Sequence, residues 1–147
     1  MNIFIILSIL FSLSVNAKDS NTRELNFKNL NSCFKGVHFD NDWMVVGKSS
    51  NTLLIKNMKH QKVETIEVQN GFRDFLINEN TLYILRREKI DIYNLDSGVF
   101  SAGIDLINSE RSWPESLFIK NNLMYVSSDK DGVKIFNLIN RAKIKTI

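Results

Sequence analysis

The sequence predicts an all-β fold made of about three repeated units, each with four short antiparallel strands. Two observations support this prediction. Short apolar segments alternate with turn signals rich in Asn, Asp and Gly, and the whole pattern returns after about 40 residues. The composition agrees with a folded chain, since 44% of the 147 residues are hydrophobic and 24% are charged. This length suits one domain.

The repeat is clearest in two short stretches and three longer ones. The sequence IYNL at 92–95 is matched by IFNL at 135–138, and the segments 33–46, 71–84 and 112–126 align with one another. Apolar residues coincide at four positions and an Asn or Asp at a fifth: Val37, Phe75 and Leu117; Phe39, Ile77 and Ile119; Met44, Leu82 and Met124; Val46, Ile84 and Val126; and, in the turn, Asp42, Asn80 and Asn122. Self-similarity of this kind marks a repeat architecture.

Each unit has room for four strands. In the third unit they are predicted at 116–119, 123–127, 132–138 and 142–147, separated by Asn-rich and Asp-Gly turns. The second strands of the three units, WMVV, TLYIL and LMYV, are apolar at consecutive positions rather than at alternate ones. A strand with this pattern is typically covered on both sheet faces, which predicts that the units stack face to face.

These units resemble β-propeller blades of the broad class that includes WD40 and YVTN-type repeats. WD40 blades typically have Trp-Asp at the end of the third strand, whereas this chain has Lys56-Asn57, Tyr93-Asn94 and Phe136-Asn137 at that place, and the Gly-His pair is absent from every unit. The resemblance implies a β-propeller of about three four-stranded antiparallel blades, at approximately 33–70, 71–111 and 112–147. Each blade would cover its neighbour, because one blade cannot bury both faces alone.

Three blades do not close a ring, since propellers typically have about four to eight. Two interpretations stay open: the sequence is the N-terminal part of a longer product, or copies of it associate through the open propeller ends. The N-terminal segment 18–32 could supply a ring-closing strand.

The first 17 residues predict a signal peptide. Residues 3–15 form an apolar run without charge, shorter than a membrane span, and Val15 and Ala17 are small enough for cleavage after Ala17. An uncleaved anchor or a buried N-terminal strand are the alternatives. The mature protein is therefore expected to be secreted or periplasmic, with no membrane span after cleavage.

Few residues suggest chemistry. Cys33 is the only cysteine, so no intramolecular disulfide can form, and we interpret it as a small buried hydrophobe. His38 lies in an apolar strand and is expected to be a core histidine. The segment DKDG at 129–132 is interpreted as a hairpin turn, because the further acidic ligands of a calcium loop are missing. The sequence thus predicts no catalytic residue, no cofactor and no metal.

Candidate binding residues lie in loops predicted to project from one face: 68–73, 86–88, 107–115 and 129–131. Within them we single out Arg86, Arg87, Arg111 and Trp113, because Arg and Trp are enriched at interface hot spots. The net charge of +3, with both signs interspersed, gives little support for nucleic-acid binding.

Two functions stay open. The chain is an exported, non-catalytic binding or scaffold protein with a protein or polymer partner, or it is the N-terminal part of a propeller enzyme whose active site needs further blades. Such an enzyme would be a hydrolase, a lactonase or a quinone-dependent oxidoreductase. The sequence favours the first function, because it contains no recognisable catalytic constellation.

Overall fold

A computed structural model describes residues 35–106 and 112–147 of the chain, all within one unit, Asn31–Ile147. The predicted signal peptide at 1–17, the segment 18–32, Cys33 and Arg111 lie outside the described residues. Across the two described ranges every regular element is a strand, which confirms the all-β prediction. In the same ranges no helix is long and apolar enough to cross a membrane.

Twelve strands form three antiparallel sheets of four. They are β1 (Gly36–Asp40), β2 (Trp43–Gly47), β3 (Thr52–Asn57), β4 (Val63–Glu67), β5 (Asp74–Asn78), β6 (Thr81–Leu85), β7 (Lys89–Asn94), β8 (Val99–Asp105), β9 (Pro114–Lys120), β10 (Leu123–Ser128), β11 (Gly132–Asn137) and β12 (Lys143–Thr146). In every sheet the strands pair in chain order. We call the sheets β1–β4, β5–β8 and β9–β12 blades 1, 2 and 3.

The strand registers explain the sequence repeat. The first two strands of the blades pair Val37 with Val46, Phe75 with Ile84, and Leu117 with Val126. These are the residues that the sequence alignment placed in equivalent positions. The repeat is therefore one hairpin register used three times.

Two hydrophobic cores lie between the blades. The first joins blades 1 and 2 through residues such as Val45, Ile55 and Phe75, and the second joins blades 2 and 3 through residues such as Leu76 and Met124. Because Phe75 and Leu76 are adjacent on β5, the first strand of blade 2 is buried on both faces. Blade 2 thus buries apolar residues on both faces, one against each neighbour.

The expected core histidine lies at the edge of the first core. His38 is half-buried, and its ring packs edge-to-face on Phe75 with the ring centroids 5.2 Å apart. It is therefore an aromatic partner of the next blade rather than a fully buried residue.

Blade 3 differs from the prediction that every second strand is covered on both faces. Strand β2 is buried along its whole length, but β10 alternates: Met124 and Val126 are fully buried, whereas Leu123 and Tyr125 are half-buried. Met124 and Val126 point at blade 2. Leu123 and Tyr125 lie on the other face of β10, against which no described sheet packs.

The Asn that ends the third strand closes the following turn in each blade. The Oδ1 atom of Asn57 accepts hydrogen bonds from the N–H groups of Lys59 and His60, at 3.0 and 2.8 Å. Asn94 and Asn137 use the same atom in the same way. The Asn at the position that carries Asp in WD40 blades thus caps the turn between the third and fourth strands of each blade.

Candidate ligand-binding surface

The turns after each second strand and the connections between blades meet at one end of the sheets. The N–H of Phe72 donates to the carbonyl of Ser50 at 2.9 Å, and the N–H of Leu106 donates to the carbonyl of Glu88 at 2.7 Å. The first bond joins the β4–β5 connection to the β2–β3 turn, and the second joins Leu106, directly after β8, to the β6–β7 turn. The described parts of these loops therefore lie together at this end.

This surface contains an open concavity of about 790 Å³. The lining residues come from the position before β1, the β2–β3 turn, the β4–β5 connection, the β6–β7 turn, the first position of β7 and the position before β9. They are Lys35, Ser50, Asn51, Asn70, Gly71, Phe72, Arg73, Arg86, Arg87, Glu88, Lys89 and Trp113. A smaller concavity of about 420 Å³ continues past Trp113 to Glu115 and Asp129.

Trp113 is the aromatic centre of the surface. The Cζ atoms of Arg73 and Arg87 lie 4.6 and 4.1 Å from the centroid of its ring. Both distances are within the range of cation–π attraction. The indole is 36% exposed, so it supports the two guanidinium groups at the rim instead of lying between the blades.

Asp129 fixes the backbone of Trp113. Its Oδ1 accepts the Trp113 N–H at 2.7 Å, and its own N–H donates to the Trp113 carbonyl at 3.1 Å. The hydrogen bond from the Trp113 backbone holds the pKa of the Asp129 carboxyl below its ordinary value, because it favours the charged form. The neighbouring Asp131 pairs with the buried Lys134 at 3.0 Å. Both carboxylates of the DKDG turn thus contact protein groups.

The Arg86 side chain mainly binds other groups of the protein. Its Nη1 atom lies 3.0 Å from Oδ2 of Asp91, and its Nη2 donates to the carbonyl of Gln69 at 2.7 Å. Asp91 also pairs with Lys89, at 2.8 Å. One carboxylate outside the concavity therefore pairs with two of the cations that line it, and Arg86 ties blade 2 to the connection from blade 1.

The remaining charge of the concavity is positive. Its lining contains five cations and one carboxylate, Glu88. Among the residues that the structure describes, no carboxylate forms an ion pair with Lys35 or Arg73. Field lines concentrate in a concave surface of one sign, so this region attracts anions.

The structure brings three of the four predicted binding residues together. Arg86, Arg87 and Trp113 all line the larger concavity, whereas Arg111 lies outside the described residues. Lys35 and Arg73 were not among the predicted binding residues. A signal for them existed, because both occupy the repeat position two residues before the aligned Val37 and Phe75.

Comparison with known proteins shows the fold alone. No protein-family model matches the chain, and no curated protein matches it significantly. Among solved structures, the computationally designed Ika4 protein is 10% identical, with a TM-score of 0.64, over 80% of this chain and 73% of its own. The designed Ika8 protein is 9% identical, with a TM-score of 0.63, over 78% of this chain and 36% of its own.

A natural protein also matches. Apo AztD from Citrobacter koseri is 12% identical, with a TM-score of 0.61, over 71% of this chain and 31% of its own. The chain thus spans about a third of the length of AztD and of Ika8. These neighbours have propeller-like folds, so the prediction of an all-β, propeller-like chain with three four-stranded sheets is confirmed. The narrower likeness to WD40 and YVTN repeats stays a prediction.

Proposed function

We propose that this protein is an exported, non-catalytic β-propeller module that binds a protein or polymer partner through the concavity around Trp113. The observation that supports the proposal is the pair of guanidinium groups over the Trp113 indole at a positively charged concavity. Arg and Trp are the side chains that most often dominate binding energy when they are clustered. The backbone of Trp113 is fixed by Asp129, so little conformational entropy is lost when a partner binds.

The polar groups around the concavity favour binding over catalysis. General acid–base catalysis needs a titratable group that can reach a reacting atom. Here Asp129 accepts from the Trp113 backbone and Asp91 bridges Arg86 and Lys89. These two carboxylates hold the framework of the surface. Of the six charged residues that line the larger concavity, five are cations and one, Glu88, is a carboxylate.

Site-specific photo-crosslinking tests the proposal. A photoreactive phenylalanine analogue is placed at Glu88, which is exposed and lines the concavity, in cells of the source organism. The matched control carries the analogue at Lys59, which is exposed in the β3–β4 turn at the other end of blade 1. We expect a defined adduct at Glu88, none at Lys59, and loss of the adduct when Arg73→Glu is added. Equal labelling at both positions would contradict the proposal.

Export is part of the proposal and depends on the signal peptide predicted at 1–17. Cleavage after Ala17 would give a mature protein that begins at Lys18. Intact-mass measurement of the protein recovered outside the cytoplasm tests this directly. A mature N-terminus at Met1 would refute it.

A further inference from the structure

Carboxylates interrupt the positive charge of the surface beyond Trp113. Lys35 and Arg73 line both concavities and Arg87 lines only the larger one, whereas Glu115 and Asp129 line only the smaller one. A uniformly charged polyanion that crossed both concavities would meet these two carboxylates in the smaller one. A short anionic stretch that ends near Trp113 avoids this repulsion.

The indole supports the arginines and so leaves little ring surface for stacking a ligand. Two guanidinium groups already lie over it, at 4.1 and 4.6 Å, and only 36% of the residue is exposed. Sugars and bases are commonly bound by stacking on an aromatic face. A guanidinium that lies on a ring still presents N–H donors along its own edges, which match the geometry of a carboxylate.

From this arrangement, and on the basis of the proposed function, we infer that the partner is a protein that inserts a short acidic segment into the larger concavity. Its Asp or Glu carboxylates pair with Arg73, Arg87 and Lys35. Trp113 positions the two guanidinium groups, and Glu88 at the rim disfavours a longer run of negative charge.

Fluorescence anisotropy with labelled probes tests the inference on the full mature chain. The probes are a hexaglutamate peptide, a hexaglutamine peptide of the same length, and a heparin-derived hexasaccharide. We expect hexaglutamate to bind at least about tenfold more tightly than hexaglutamine, with affinity that falls as salt rises. Arg73→Ala and Arg87→Ala should each weaken hexaglutamate binding about fivefold.

Two further variants separate geometry from net charge. Arg73→Lys keeps the charge but removes the planar fork, so its affinity should lie between those of the wild type and Arg73→Ala. Lys59→Ala removes one positive charge at the opposite end and should leave binding unchanged. Thermal melts of all variants establish that they are folded, and Arg87→Ala replaces Arg73→Ala in the comparison if the latter is not.

The outcomes distinguish this inference from the proposed function. Equal binding of hexaglutamate and hexaglutamine, or binding that Arg73→Ala and Arg87→Ala do not change, overturns the acidic segment. Tighter binding of the hexasaccharide also overturns it and assigns a sulfated polymer instead. In each case a specific crosslink at Glu88 would still support the binding module, whereas the absence of that crosslink refutes the module independently.

Discussion

Replacing the repeated turn Asn by Ala, one blade at a time, should destabilise the protein in a defined order. We expect the largest loss for Asn57, a smaller one for Asn137 and the smallest for Asn94. The three residues occupy the same register position, so differences between them report the local environment of the cap. The order follows from the number of hydrogen bonds that each Oδ1 atom accepts and from how deeply each Asn is buried.

The expected losses depend on the number of hydrogen bonds removed and on their burial. A hydrogen bond contributes about 0.5–1.5 kcal/mol to the free energy of unfolding, and its removal costs more when the donor left without a partner is buried. Asn57 is 8% exposed and accepts two bonds, at 3.0 and 2.8 Å, which predicts a loss of about 2 kcal/mol. Asn137 is half-buried and accepts bonds of 2.8 and 3.3 Å, which predicts about 1.5 kcal/mol. Asn94 is exposed and accepts one bond of 2.7 Å, which predicts about 1 kcal/mol or less.

Equilibrium unfolding in urea, followed by far-ultraviolet circular dichroism, measures these differences. The dependence of the free energy of unfolding on urea concentration should stay constant across the variants if only the cap is lost. Asn94→Asp is the matched control, because it keeps an acceptor oxygen at an exposed site and should cost less than Asn94→Ala. Equal losses in the three blades, or the largest loss at Asn94, would refute the argument from burial and bond number.

Three further predictions concern the blade contacts and the surface. Asp74→Ala should lower the free energy of unfolding in urea by about 2 kcal/mol, because Asp74 Oδ2 accepts the Leu117 N–H of the next blade at 2.7 Å; a loss below about 0.5 kcal/mol would contradict this. The lowered pKa of Asp129 stabilises the fold above the ordinary value of 3.8, and this stabilisation is lost as pH falls through the lowered pKa. Asp129→Asn should therefore reduce the fall in the free energy of unfolding at acidic pH. An unchanged fall would contradict a stabilising hydrogen bond between Asp129 and the Trp113 N–H. Finally, the mature chain should self-associate through blade 3, as a dimer or a larger species, and Phe118→Glu should reduce this in light scattering coupled to size exclusion.

The strands and the alignment of the three units were predictable because both depend on local pattern. Apolar residues at fixed spacing and an Asn or Asp in each first turn placed the hairpins in the right order. The turn backbone itself was less predictable. Asn41 and Asn121 have positive φ angles, as their residue type favours, but Glu79 holds the same conformation with φ of 57°. Its N–H donates to the carboxylate of Asp40 in the preceding blade, a contact between segments far apart in sequence.

The candidate surface was predictable in part for the same reason. Loop position and residue type were enough to select Arg86, Arg87 and Trp113. The hydrogen bond between Trp113 and Asp129 joins two loops of blade 3, whereas the approach of Arg73 to the indole joins loops of different blades. Only the relative placement of the blades determines the contact of Arg73, so a pattern along the chain could not reveal it.

The prediction of self-association follows from comparing one row of side chains across the three blades. The row crosses the first three strands of each sheet at equivalent register: His38, Val45 and Ile55; Leu76, Tyr83 and Ile92; Phe118, Tyr125 and Ile135. The first two rows contact the next blade through the two cores and the His38 ring contact. The third has the same apolar and aromatic character, yet Phe118 is 59% exposed. This row packs against the next blade in blades 1 and 2. In blade 3 it should therefore bind the apolar surface of another copy, since exposed apolar surface of this kind favours association. Wild-type protein that stays monomeric at high concentration, with a cooperative melt, would show that this face is stable without a neighbour.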